Sequence, residues 1–201
     1  MGARIFAFVF LGLLLGGCVN ATLEPASDAN LKPRDKKLLA RAPYAKAHIP
    51  TPYQRHIVDY PRREMAGSMV IDTDARYLYY VLPGGKAIRY GVTVGEEALV
   101  FTGVAKVGHK EEWPSWVPTA EIKKRIPGTP DFVGPGPHNP MGARALYLGE
   151  TVYRIHGTNQ PRTIGYAVSS GCFRLVNRDV IDLFQRVPVG TRVVILQSAK
   201  L

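Results

Sequence analysis

Between Ser68 and Val94 the chain runs through three β-type segments separated only by turn-forming residues: Ser68-Met69-Val70-Ile71-Asp72, Arg76 to Leu82, and Lys86 to Val94. β-Branched and aromatic side chains at this density suit a pleated, half-buried surface, and links this short join neighbouring antiparallel strands. Pro83-Gly84-Gly85 is one such link, its glycines tolerating the positive φ that a two-residue hairpin loop demands. Further β-like runs follow at Phe101 to Val107, Ala143 to Leu148, Val152 to Ile155 and Arg192 to Leu196. Two stretches read as helical. One is Thr119 to Ile126; the other starts at Asn177 as N-cap, carries Asp179 where the helix dipole favours negative charge, and spaces Val180, Leu183, Phe184 and Val187 along one face. No internal repeat interrupts the pattern. The expected fold is mainly β, a β-sandwich or barrel-like domain with one or two short helices.

The first residues read as a targeting segment, with Arg4 ahead of an apolar run from Ile5 to Leu15 and then Leu15-Gly16-Gly17-Cys18. That run is too short for a membrane-crossing helix, which needs roughly 20 apolar residues, so the chain is expected to be exported rather than embedded. The tetrapeptide resembles the lipobox of bacterial lipoproteins, which implies acylation of Cys18, a lipid anchor as the only membrane contact, and, with Val19 in place of an aspartate, the outer membrane. Val19-Asn20-Ala21 also fits ordinary signal-peptidase cleavage, which would release a soluble periplasmic protein.

Residues 1–18 are thus the signal segment. Residues 19–66 read as a proline-rich basic tether, interrupted by Pro25, Pro33, Pro43, Pro50, Pro52 and Pro61, with His48 and His56 solvated. Within it Lys36 to Ala42 has the makings of a helical turn or two, and Tyr53, Ile57, Val58 and Tyr60 of a strap onto the domain. Residues 67–197 form the single domain that the remaining length can support. The 26 basic residues outnumber 16 acidic ones but form no dense stripe, so nucleic acid is not an expected partner. An anionic envelope polymer is compatible with that excess.

Chemistry concentrates near the C-terminus, where Ile155-His156-Gly157-Thr158-Asn159 precedes Ser169-Ser170-Gly171-Cys172-Phe173-Arg174-Leu175. With Cys18 in the export signal, Cys172 has no evident disulfide partner in its own chain. An unassisted thiol, with a pKa of about 8.5, is mostly protonated at neutral pH, and a histidine within reach is the usual activator. His156 ends a β-like run that can aim its ring, and the intervening loop is long enough to return Cys172 beside it. Gly171 permits a tight turn, so that amides of Gly171 and Cys172, with Ser169 and Ser170 alongside, face a developing oxyanion. His109 and His138 lack paired-ligand spacing with this cysteine, so neither a metal nor a cofactor is expected.

At these residues the sequence resembles the L,D-transpeptidase catalytic domain family, the YkuD domain, whose signature is an upstream histidine followed by Ser/Thr-His-Gly-Cys, an apolar residue, and Arg or Asn. His156 and Ser169-Ser170-Gly171-Cys172-Phe173-Arg174 occupy those positions, and Pro137-His138-Asn139-Pro140-Met141-Gly142 adds to the likeness. The family's second histidine is Ser170 here. The resemblance implies a thiolate of Cys172 attacking the carbonyl before D-alanine in a peptidoglycan tetrapeptide stem, with His156 as base and the Gly157 carbonyl orienting it. An amine then takes the acyl group, from a neighbouring stem to give a 3→3 cross-link, or from an outer-membrane protein. Arg174 reads equally as a binder of a substrate carboxylate or as an ion-pair partner of the following helix. Trp113, Trp116 and Tyr166 read either as groove lining or as packing. Hydrolysis of the same thioester by water, and a non-catalytic wall-binding lipoprotein, are the competing readings.

Overall fold

The computed structural model describes residues 21–23, 31–96, 101–149 and 151–197. Residues 1–18, including the apolar run and Cys18, lie outside them. Among the described residues no helix is long and apolar enough to cross a membrane.

The described residues open with β1 (Ala21–Leu23), α1 (Pro33–Ala40) and β2 (His56–Asp59), and continue through the antiparallel meander β3 (Met69–Asp72), β4 (Tyr77–Leu82) and β5 (Lys86–Gly91). Leu82 pairs with Lys86, so three residues rather than two make the hairpin loop, with Gly84 and Gly85 both at positive φ. Next come β6 (Val94–Gly95), β7 (Gly103–Glu112), α2 (Ala120–Arg125), β8 (Arg144–Leu148), β9 (Arg154–His156), β10 (Ala167–Ser169), β11 (Phe173–Arg174), α3 (Asn177–Arg186) and β12 (Arg192–Leu196). Ten strands form one mixed sheet in the order β1-β2-β5-β4-β3-β12-β7-β8-β9-β11, while β10 and β6 pair separately.

β7 joins the two halves of this sheet. Its first residues pair with β12 and its later ones with β8, with a register irregularity between Val107 and His109 that gives the strand a local bend. Both halves feed one apolar cluster: Met69, Ile71, Leu78 and Tyr90 from the first, Leu146, Leu148, Ile155 and Phe173 from the second, with Val180, Leu183 and Val187 of α3 between them. The sandwich-like, mainly β architecture follows from burying the inner faces of one bent sheet against each other and against one helix. Each such large side chain, once fully buried, stabilises by about 1.5–3 kcal/mol.

The N-terminal segment departs from a tether. From Leu31 onward it is part of the packed unit: Leu31 and Leu39 join Trp113, Ala143 and Ile181 in a second apolar cluster, and β2 adds to the sheet against β5. Val58 and Tyr60 cover Val70, Val81 and Ala87 on the outer face. The prolines do not prevent this, because Pro33 sits in the first turn of α1 and Pro52 in a 3₁₀ turn, where a missing N–H costs nothing. His56, expected in solvent, is buried in β2 with its Nδ1 2.8 Å from the Gln54 carbonyl.

Candidate active site

β9 and β11 run parallel, with Ile155 opposite Phe173 and His156 opposite Arg174. Strand alternation decides what faces where. Ile155 and Phe173 are fully buried in the core, so Arg154, His156, Cys172 and Arg174 project from the other face. All four line one cleft of about 770 Å³, within the usual range for a small-ligand site. Its opposite wall is the stretch between β7 and β8, including Trp116, Ile122 and Arg125. A second cavity, about 500 Å³, lies between the N-terminal segment and the start of α3 and contains none of these four side chains.

The turn that presents Cys172 is held from beneath. Gly171 adopts φ 109°, closed to most side chains, and Gly95 of β6 is pressed so close that a Cβ there would come within 2.8 Å of the Gly171 Cα. Ser169 is completely buried; its hydroxyl accepts from the Gly171 N–H at 3.2 Å and donates to the Cys172 carbonyl at 2.6 Å. Two expectations are corrected here. Ser169 does not line the cleft, since it is occupied in bracing the turn, and the Gly171 amide is spent on Ser169 rather than free for an oxyanion. Ser170 does face the cleft, where its Oγ accepts from Nη1 of Arg125 at 3.4 Å.

His156 is 4% exposed, and its Nδ1 lies 2.6 Å from the Gly157 carbonyl oxygen. A carbonyl can only accept, so the proton of the neutral ring sits on Nδ1 and the Nε2 lone pair is left available. Burial, reinforced by the positive charge of Arg174, pushes the imidazole pKa down to about 3, against the opposing pull of the Gly157 and Met141 carbonyls. The ring is therefore a neutral proton acceptor throughout the physiological range. Arg174 is largely desolvated, which lowers its own pKa, while the neighbouring Cys172 works the other way. Among the described residues no carboxylate forms an ion pair with it, so the pairing with α3 is not made.

Asn177 ties the shell around His156 together. Its Oδ1 accepts from Ala143 N–H at 2.9 Å, and its Nδ2 donates to the Thr158 carbonyl at 2.9 Å and to Tyr44 Oη at 2.8 Å. The helix begins one residue earlier than expected: Val176 is the N-cap and makes no side-chain cap, leaving Asn177 free to cross-link loops. This packing has no room for a side chain at Gly157, where a Cβ would fall 2.1 Å from Asn177 Oδ1.

Of the aromatic candidates, Trp116 lines the cleft, whereas Trp113 is buried and donates its indole N–H to Asp35 at 2.8 Å. Tyr166 is exposed outside the cleft lining. Three functional candidates were not found from the sequence. Arg154 was detectable in principle, since it stands two residues before His156 on the same strand face. Arg125 and the Asn177 hub carry no local signal, because their partners are remote in the chain.

A family profile described as the L,D-transpeptidase catalytic domain, YkuD, matches residues 66–195, well over half of the chain. The chain belongs to the YkuD family. Among YkuD relatives, "Probable L,D-transpeptidase ErfK/SrfK" of Escherichia coli (strain K12) is 37% identical over 163 residues, covering 78% of this chain and 51% of that protein. "Probable L,D-transpeptidase YbiS" of the same organism is 40% identical over 133 residues, covering 63% and 43% respectively. This chain spans about half the length of each of these two relatives. The YkuD fold is also seen in the solved L,D-transpeptidase from Mycobacterium smegmatis, with a TM-score of 0.52 at 16% identity over 72% of this chain and 67% of that one. The catalytic domain of the E. faecium L,D-transpeptidase gives 0.51 at 20% identity, over 67% of this chain and 100% of that one.

Proposed function

We propose that this YkuD-family chain is a peptidoglycan L,D-transpeptidase with Cys172 as nucleophile and His156 as its base. The supporting observation is the parallel register of β9 and β11, which turns sulfur and imidazole to the same side of the sheet and into one cleft. The Cys172 thiol proton passes to Nε2 of the neutral His156 as sulfur attacks the stem-peptide carbonyl that precedes D-alanine. The resulting oxyanion is met by the Cys172 amide, and the imidazolium returns the proton to the leaving amine. A thioester remains on Cys172. An incoming amine loses a proton to His156, displaces the sulfur and forms the new amide, regenerating the thiol.

The Gly157 carbonyl acts by holding the ring in the Nδ1-protonated tautomer, so that the basic nitrogen is the one free to reach the reacting atoms. Arg174, with no carboxylate partner among the described residues, is suited to a carboxylate of the acyl donor. The acceptor is a stem-peptide amine or an amine of an outer-membrane protein. The same reading has the chain exported and lipid-anchored through Cys18, with residues 67–197 as the catalytic domain.

The test is product analysis with purified disaccharide-tetrapeptide fragments. Cross-linked dimers support the transpeptidase; trimmed monomers alone indicate that water is the acceptor. A carbapenem supplies the complementary readout by intact mass: an adduct lost in Cys172→Ala supports covalent catalysis, and no adduct on folded, reduced protein leaves a wall-binding module.

A further inference from the structure

The cleft that holds Cys172 is walled on one side by α2, and the last residue of that helix, Arg125, reaches across to the nucleophile's own turn. Its Nη1 donates to Ser170 Oγ at 3.4 Å, and its Nη2 lies 3.1 Å from both carboxylate oxygens of Glu96, the residue after β6. Ser170 is separated from Cys172 only by Gly171, so this guanidinium is held at the nucleophile's own turn, in the same cleft, although its residue lies far upstream. The two other arginines of the cleft, Arg154 and Arg174, come from the sheet opposite α2, and among the described residues the cleft lining includes one carboxylate, Glu121. The cavity is therefore built for an anionic ligand.

The Arg125–Glu96 pair differs in kind from a structural ion pair. Its side chains are 37% and 53% exposed, so water screens the attraction and a competing carboxylate can take the place of Glu96 at little cost. A guanidinium freed in this way keeps its planar fork of N–H donors, which matches a carboxylate in two-point geometry. The Ser170 hydroxyl ties the fork to the turn.

We propose that Arg125 is a specificity-determining residue that exchanges Glu96 for a free carboxylate flanking the scissile bond of the acyl donor, so that the cleft selects stem peptides bearing that charge. This rests on the stem-peptide reading above. Arg174 and Arg125 would then grip the donor from opposite walls, one from the sheet and one from α2.

The experiment compares the full chain with its Arg125→Met and Arg125→Lys variants on three donors: the free-acid tetrapeptide, the same peptide amidated at its C-terminal residue, and the same peptide amidated at the free carboxylate of its third residue. The readout is the ratio of kcat/KM for the free acid to that for each amide. In the native chain one amide should be the poorer donor, and Arg125→Met should shrink that ratio by about tenfold, as expected for loss of a charge-assisted hydrogen bond, with Arg125→Lys between the two. If Arg125→Met slows all three donors equally and leaves both ratios unchanged, Arg125 merely latches α2 and the inference is overturned. A thermal melt matched to that of the native chain excludes misfolding as the cause of a changed ratio. Inactivity of the native chain toward every donor would overturn the stem-peptide reading itself, and this inference with it.

Discussion

Asp35 and Arg144 form a two-point ion pair in the interior, 3.1 Å from Nη1 to Oδ1 and 2.7 Å from Nη2 to Oδ2, with their side chains 2% and 1% exposed. Burial by itself would raise the Asp35 pKa, but hydrogen bonds from Arg144 and Trp113 and the charge of Arg144 prevail and hold it below the ordinary carboxylate value. The same Arg144 accepts, through its backbone carbonyl, the N–H of Gly157 at 3.0 Å. The N-terminal segment is thus joined through one side chain to the backbone that positions His156.

Breaking this pair from one side takes away the close countercharge of a buried guanidinium whose Nε already has no hydrogen-bond partner and whose Nη2 keeps only the longer 3.9 Å approach of Glu112 among the described residues. Asp35→Ala should lower stability by about 3–5 kcal/mol, measured by urea unfolding. The apolar double replacement Asp35→Leu with Arg144→Met should recover much of that loss, because the desolvation cost of both charges disappears together.

Acid should weaken the fold earlier than carboxylate titration alone would. His156 has a folded pKa of about 3 against 6.5 for the free side chain, so the unfolded chain binds the extra proton between these values. Its contribution is fully present above pH 6.5, declines as pH falls, and is gone below about 3, with a slope of at most about 1.4 kcal/mol per pH unit. Asp35 and Asp182, both lowered, add their losses further into acid. Urea unfolding from pH 8 to 4 should show the decline beginning near 6.5 in the native chain and delayed in His156→Gln. That variant should also acylate with a carbapenem about 10²–10⁴-fold more slowly.

A methyl group at Gly157 has nowhere to go. Gly157→Ala forces Asn177 Oδ1 and the Ala143 amide apart, since the new Cβ would lie 2.1 Å and 2.9 Å from them. The expected cost is about 1–3 kcal/mol, with loss of the carbonyl geometry that orients His156. A melt combined with the carbapenem acylation rate checks both, and unchanged acylation would show that the ring is held by other contacts.

Ser169→Ala removes both braces of the nucleophile turn at once. The Gly171 N–H and the Cys172 carbonyl lose their partner inside the protein, for a cost of about 1–3 kcal/mol, and acylation should slow although Cys172 is intact. Intact-mass time courses beside thermal melts measure the two effects separately.

Local chemistry along the chain was enough to establish the meander β3 to β5, the strands β8, β9 and β12, the start of β7 and two of the helices, but not β1, β2, β10 or β11; period-two apolar alternation, the glycine turn after Leu82 and the spacing of Val180, Leu183 and Val187 act over a few residues. It also singled out His156 and Cys172, whose residue types carry their reactivity with them. What faced what was decided only in three dimensions. The parallel register of β9 and β11, the burial of Ser169, the reach of Arg125 to Ser170 and the pairing of Asp35 with Arg144 each join parts of the chain that share no local pattern. A proline-rich stretch reads as a tether until Trp113, Ala143 and Ile181, far along the sequence, supply the apolar surface against which Leu31 and Leu39 are buried and Arg144 pairs with the buried Asp35. Such partners are chosen by the closing of the whole sheet, which no local window of residues encodes.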